Sequence, residues 1–305
     1  MYRPSFNPIV LAFALGACCA SPVLLAATPI NQTRALDARG RIEIDNLKGR
    51  IQVRAWNRNE VHISGSLGQG VEKLVIDGDA DNLVVRVQYP KQIGAWRGDR
   101  TGPTDLQLQV PLRADLDIAS VSADIDIDGV APGELSIDTV SGKVVAAAAP
   151  QHVDINSVSG DLRITVNSAD VKVETVSGDV TLAGRLGGQV HGETVSGRLS
   201  IDTTTGRVRR LSASTVSGDV SLRSGLVDGG EIKADTVSGD ISLRVPKTVS
   251  ARASGESFSG DLSAPGAKIR KEEFGPGSSF EQRYGSGAGE IRLETFSGNA
   301  KLVLE

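Results

Sequence analysis

Cysteine is nearly missing from this 305-residue chain: there are two, at positions 18 and 19, both within an apolar N-terminal stretch. If that stretch is removed, the rest has no disulfide, no thiol nucleophile and no cysteine metal site. Aromatic residues are equally scarce, with six Phe, three Tyr and two Trp, which argues against a long sugar-stacking groove. The three histidines (His62, His152, His191) have no metal-ligand spacing in the sequence. No Gly-x-Ser-x-Gly elbow occurs either, so no catalytic residue, metal or cofactor is expected. The formal charge of −4 shows no bias toward nucleic acid.

What the chain has in abundance is Gly (35 residues), together with Val, Ser, Thr and Asp. These are residues of strands and tight turns rather than helices. Residues 1–27 read as an export signal: Arg3 is followed by an apolar run over 9–27 that ends in small residues. Cleavage after Ala26 or Ala27 is expected, with a cut after Ala20 as an alternative. The stretch Leu-Gly-Ala-Cys at 15–18 resembles a bacterial lipobox, which would make Cys18 an acylated residue. The protein would touch a membrane only through that lipid or through an uncleaved signal.

The remaining chain repeats itself. Thr-Val-Ser-Gly-Asp and its variants place Val121, Val140, Val158, Val176, Val195, Val216, Val237, Phe258 and Phe296 in one column, with spacings of 19, 18, 18, 19, 21, 21, 21 and 38. A period near 20 is the signature of a solenoid. Alternating apolar and polar residues flank the motif on both sides, so each coil is two short strands meeting at a corner. The fold expected is all-β: a single-stranded, parallel β-helix-like solenoid of about 18–21 residues per coil, wound right-handed by the crossover rule. Residues 116–305 are its coils. Residues 28–115 are either degenerate coils or a β-rich cap. The 38-residue gap, twice 19, implies one missing coil and a rod of roughly 45–50 Å at 4.8 Å per coil.

At the corner, Gly142, Gly160, Gly178, Gly197, Gly218, Gly239, Gly260 and Gly298 are expected to take the positive φ of a type II turn. Ala123 stands where the first copy should have Gly, so a different turn or local strain is expected there. The motif Val is expected to turn inward, and Ser and Asp outward, bonding the turn's own amides. Thr139 and its counterparts share the parity of Leu135 and Ile137 and are expected inside. The acidic run Asp124, Asp126, Asp128 before Gly129 lacks the Glu that would close an EF-hand loop and reads as a strand face.

Two segments break the repeat: 91–103, which carries Trp96 and Arg97, and 266–290, which carries Phe274, Phe280 and Tyr284 and is expected to project as a hairpin. Loops on rigid scaffolds tend to carry function, so these five residues are the partner-binding candidates.

The opening "GRIEIDNLKGRIQVRAW", the ladder of Thr-Val-Ser-Gly-Asp units and the closing "GEIRLETFSGNAKL" together resemble the bacterial putative-adhesin family of unknown function. The resemblance spans nearly the whole chain after residue 27. It implies an exported β-solenoid, periplasmic or at the cell surface, and supplies no ligand or catalytic residues. The function expected is a non-enzymatic envelope binding scaffold that holds a protein or glycan. A purely structural envelope protein, and a carbohydrate-active β-helix enzyme, are the alternatives. End-to-end self-association is left open.

Overall fold

Alternation of apolar and polar side chains becomes, in the computed structural model, a stack of coils with a continuous aliphatic interior. The structure describes residues 28–90, 101–273 and 275–305. Among them there are 23 strands and no helix, all hydrogen-bonded into one sheet. Successive coils pair in parallel and in register, so equivalent residues lie side by side: Val153 sits between Leu135 and Val171, and Leu162 between Val144 and Val180. All six are at most 1% exposed. Each inward aliphatic side chain contributes roughly 1.5–3 kcal/mol by leaving water, and no coil can bury its own without neighbours. Thr139, Thr175, Thr194 and Thr236 are buried in the same interior, as their parity requires.

At the N-terminal end, the strand Arg41–Trp56 is a true coil. It pairs in parallel with Asp115–Val130, Asn46 facing Ser120 and Lys48 facing Ser122, which sets Leu47 beside Val121. The 74 residues between Leu47 and Val121 are therefore not four further coils. Asn82–Gln88 and Thr104–Pro111 pair with the two halves of Arg41–Trp56 and together make one coil. Antiparallel strands then cover it: Lys73–Gly78 on Asn82–Gln88, Glu60–Leu67 on Thr104–Pro111, and Thr28–Ala35 on Glu60–Leu67. The outermost strand is polar and almost wholly exposed, which blunts an edge that could otherwise recruit another chain.

The C-terminal end departs from the expected order. Ser297 pairs with Ser238 on one side and Ser259 on the other. The last coil of the sequence, Gly289–Ser297 with Ala300–Leu304, thus lies between the coils of Val237 and Phe258. No coil is missing from the 38-residue gap. Instead the chain runs on to the end of the stack, returns along Ser278–Tyr284 and inserts its final strands between the coils of Val237 and Phe258.

The strand Ser278–Tyr284 pairs antiparallel on Ala251–Ser259 and closes that end. Phe280 and Tyr284, expected at a partner-facing surface, are buried at 2% and 9% exposure. The cause is local. Gly255 leaves a hole in an inward column, and the Phe280 ring fills it, since a Cβ on Gly255 would lie 2.1 Å from the ring. Tyr284 donates its hydroxyl to the Pro265 carbonyl at 2.8 Å. These aromatics seal the interior.

Burial pushes the Tyr284 phenol above its ordinary value of 10. The folded state therefore keeps the proton to higher pH than the unfolded chain. Stability from this group is intact below about pH 10 and is lost as pH climbs through the raised value. Tyr284→Phe should abolish that alkaline loss while costing about 1 kcal/mol at neutral pH for the lost hydrogen bond. Urea midpoints measured from pH 7 to 11 check both effects.

Candidate interaction surface

The corner explains why the motif recurs, and it differs in detail from the sequence expectation. The glycine φ values run from 119° at Gly142 to 158° at Gly298, more extended than a type II turn. Gly260, in the outermost coil, has no positive φ. Glycine is needed for a second reason: coils touch at the corner. A Cβ on Gly197 would lie 2.2 Å from the Gly178 carbonyl oxygen, and one on Gly178 2.3 Å from that of Gly160. At Ala123 the strand Asp115–Val130 runs straight through without a bend, and the Ser120 hydroxyl accepts the Ala123 amide at 2.9 Å.

The polar corner residues tie coil to coil rather than closing their own turn. Ser141 Oγ donates to the Val121 carbonyl, and Ser159 Oγ to that of Val140. Asp124 Oδ1 accepts the amide of Lys143, Asp179 Oδ1 that of Arg198, and Asp240 Oδ1 that of Asn299, all at 2.8–2.9 Å. The Asp column therefore satisfies amides where the sheet ladder lapses.

The motif Val does not turn inward. Thr, one residue earlier, takes the interior position, and the strand stays regular through Val, so Val must face out. In spatial order Leu47, seven valines from Val121 to Val237, Phe296 and Phe258 form one file along the rod, each 41–57% exposed. Ten rungs at about 4.8 Å span roughly 43 Å. Phe258 and Phe296 stack at 4.8 Å with rings 5° from parallel. Beside them a groove of about 560 Å³ opens toward Gly277 and Ser278, lined by Asp235, Glu256, Glu272 and Glu294.

Carboxylates flank most of the file on both sides, several of them ion-paired, as Glu174 is with Lys172, Asp235 with Lys233 and Glu294 with Arg292. Two residues before the ridge lie Asp138, Glu174, Glu193, Asp235, Glu294 and Glu256. Beyond the serines lies the Asp column. A larger concavity, about 1160 Å³, is a separate trough lined by Arg252, Arg283, Arg292 and three glutamates, an even mixture of charge.

Sequence reasoning overlooked this ridge because it assigned the Val to the interior. The parity of the buried Thr, with the change to Phe in one column at 258 and 296, was the signal that could have exposed it. Of the partner-binding candidates, Phe280 and Tyr284 lie in the core, while Trp96, Arg97 and Phe274 fall outside the described residues, as does Cys18.

Coils in register, antiparallel caps and an inward-slotted final coil belong to a stretch of chain that one family profile covers almost completely: "Toastrack DUF4097" matches residues 39–303. The chain belongs to the Toastrack family. Among solved structures, one shares the fold at low identity and others are less similar. A "putative lipid binding protein" from Parabacteroides distasonis is 12% identical with a TM-score of 0.51, covering 90% of this chain and 97% of that one. A "putative adhesin" from the same species is 12% identical with a TM-score of 0.48 over 90% and 97%. Another "putative adhesin", from Bacteroides fragilis, is 11% identical with a TM-score of 0.39 over 91% and 98%. No curated protein is significantly similar to this Toastrack chain.

Proposed function

We propose that this protein is an exported, non-enzymatic binding scaffold of the bacterial cell envelope, and that its partner lies along the exposed apolar ridge. The carrying observation is that, among the described residues, the outward position beside each corner is apolar in all ten coils that bear it. Single exposed valines need no explanation, but a contiguous file on a soluble surface is the mark of an interaction site. Packing inside the rod gives no reason for it, because these side chains point away from the interior.

The flanking carboxylates define the partner's chemistry: apolar side chains on the contact line with basic ones beside them. Such a rim disfavours anionic lipid. The widest contact is at the Phe258–Phe296 stack, where a Lys or Arg could lie over the rings amid the four carboxylates of the groove. The apolar N-terminal run supports placement outside the cytoplasm.

The test is fluorescence anisotropy with a labelled peptide alternating Lys and Val, against its Glu–Val counterpart and against phosphatidylglycerol vesicles. The Lys–Val peptide should bind, weaken with salt, and lose about tenfold or more in a Val237→Ser/Phe258→Ser/Phe296→Ser chain. Unchanged binding by that variant would remove the ridge from the site. A preference for the vesicles would reassign it to lipid.

A further inference from the structure

On the flat of the solenoid, beside the ridge, one cluster of side chains differs from its neighbours. The parallel register sets Lys172 next to His191 and Glu174 next to Glu193 on two adjacent coils. His191 Nε2 stands 3.6 Å from Glu174 Oε1 and 3.6 Å from Glu193 Oε2. One ligand atom from each of the three residues lies within 4.8 Å of the others, the one such trio among the described residues. The His191, Glu174 and Glu193 side chains are 37%, 37% and 52% exposed, so an ion can reach them from solvent.

Zinc bonds nitrogen and oxygen ligands at about 2.0–2.2 Å, which puts neighbouring ligands of a tetrahedral ion roughly 3.3–3.6 Å apart. The two His–Glu separations already match that spacing, and the sheet holds both backbones in place. The donor set selects among metals. Calcium takes six to eight oxygens, and magnesium demands a near-ideal octahedron of oxygens, whereas one imidazole with two carboxylates suits zinc.

We propose that Glu174, His191 and Glu193 form a zinc site, with its fourth position open to water or to a donor from a bound partner. The present occupant of the negative field is Lys172, whose Nζ lies 3.0 Å from Glu174 Oε1. Zinc displaces this ammonium, which has a long flexible stem and can swing into solvent. His152 makes a contact that superficially resembles the site, its Nδ1 3.1 Å from Asp170 Oδ2, but it brings only one carboxylate. It serves as the internal control. Glu174 and Glu193 also belong to the carboxylates beside the ridge, but the zinc site needs no partner to form.

The experiment is titration of the untagged protein with zinc chloride alone, followed by calorimetry. One zinc per chain is expected. Binding should weaken at least about tenfold in His191→Ala and in Glu193→Gln, stay unchanged in His152→Ala, and tighten in Lys172→Met. Circular dichroism should be the same for all five chains, since every substituted side chain is partly exposed. Absence of saturable binding would overturn the proposal, as would a His191→Ala chain that binds like the parent. Displacement of the zinc by a modest excess of calcium or magnesium would overturn the choice of metal.

Discussion

Replacing Gly197 by valine should cost about 3 kcal/mol or more, enough to unravel the coils around it. Two effects combine. Its φ of 137° lies where an L side chain is strained, and its Cβ would sit 2.2 Å from the Gly178 carbonyl oxygen. That oxygen belongs to the backbone of the adjacent coil, so relief requires the coils to part rather than a side chain to move. Alanine at 197 should be nearly as costly, because the clash arises at Cβ. Gly187 is the contrasting position. It has no positive φ, and a Cβ placed there would meet nothing within 4 Å, so Gly187→Ala should be within about 0.5 kcal/mol of the parent.

Urea unfolding of the three chains, with hydrogen exchange to locate the loss, decides the matter. In a stack of this kind each coil is stabilised by its neighbours, so the lost protection should spread from the Val195 coil to both sides. A Gly197→Ala chain less than about 1 kcal/mol below the parent would mean that the coils yield at the corner, contrary to the geometry.

The second large effect concerns the order of the last coils. With Cys18 and Cys19 replaced by serine, a Ser238→Cys/Ser297→Cys chain should oxidise to an intramolecular disulfide, and a Ser238→Cys/Ser259→Cys chain should not. Ser297 is the register partner of both Ser238 and Ser259, while Ser238 and Ser259 are two coils apart. Neighbouring strands lie about 4.8 Å apart, within disulfide reach, and next-nearest ones about 9.6 Å apart, beyond it. All three serines are exposed, so an oxidant has access. A stack in simple sequence order predicts the reverse pattern, with 238 beside 259. Free-thiol titration and non-reducing electrophoresis read the result directly.

The solenoid was legible because its cause is local. A side chain two residues from another on a strand faces the same way, so the columns from Leu135 through Val190 can be aligned by eye, and parallel register then follows from stacking equal units. The corner glycines were legible for the same reason. The Val column is not legible in the same way because a corner breaks strict alternation, and only the folded chain decides whether the break falls before Val or after Ser. It falls after Ser, at Gly, so Thr is inside and Val outside. Phe280 and Tyr284 looked like surface residues because they sit in a charged, glycine-rich insert, yet the hole left by Gly255 lies in another strand, which no local pattern connects to them.

Sequence alone determined the strand content, the coil length, the buried columns and the requirement for glycine at the corners, all of which depend on residues within one period. Tertiary structure decided which coil lies beside which, and what closes the ends. The coils of Val237 and Phe296 carry similar inward residues, Ile232, Ala234 and Thr236 against Ile291, Leu293 and Thr295, whereas that of Phe258 carries the smaller Ala253, Gly255 and Ser257; the repeat pattern does not say which of them lies at the end. What suits the Phe258 coil to the end of the stack is the antiparallel strand Ser278–Tyr284 laid on it and the fit of Phe280 over Gly255. The trio Glu174, His191 and Glu193 depends on the same cause. His191 and Glu174 are 17 residues apart in the chain, and it is the pairing of one coil with the next that brings an imidazole between two carboxylates.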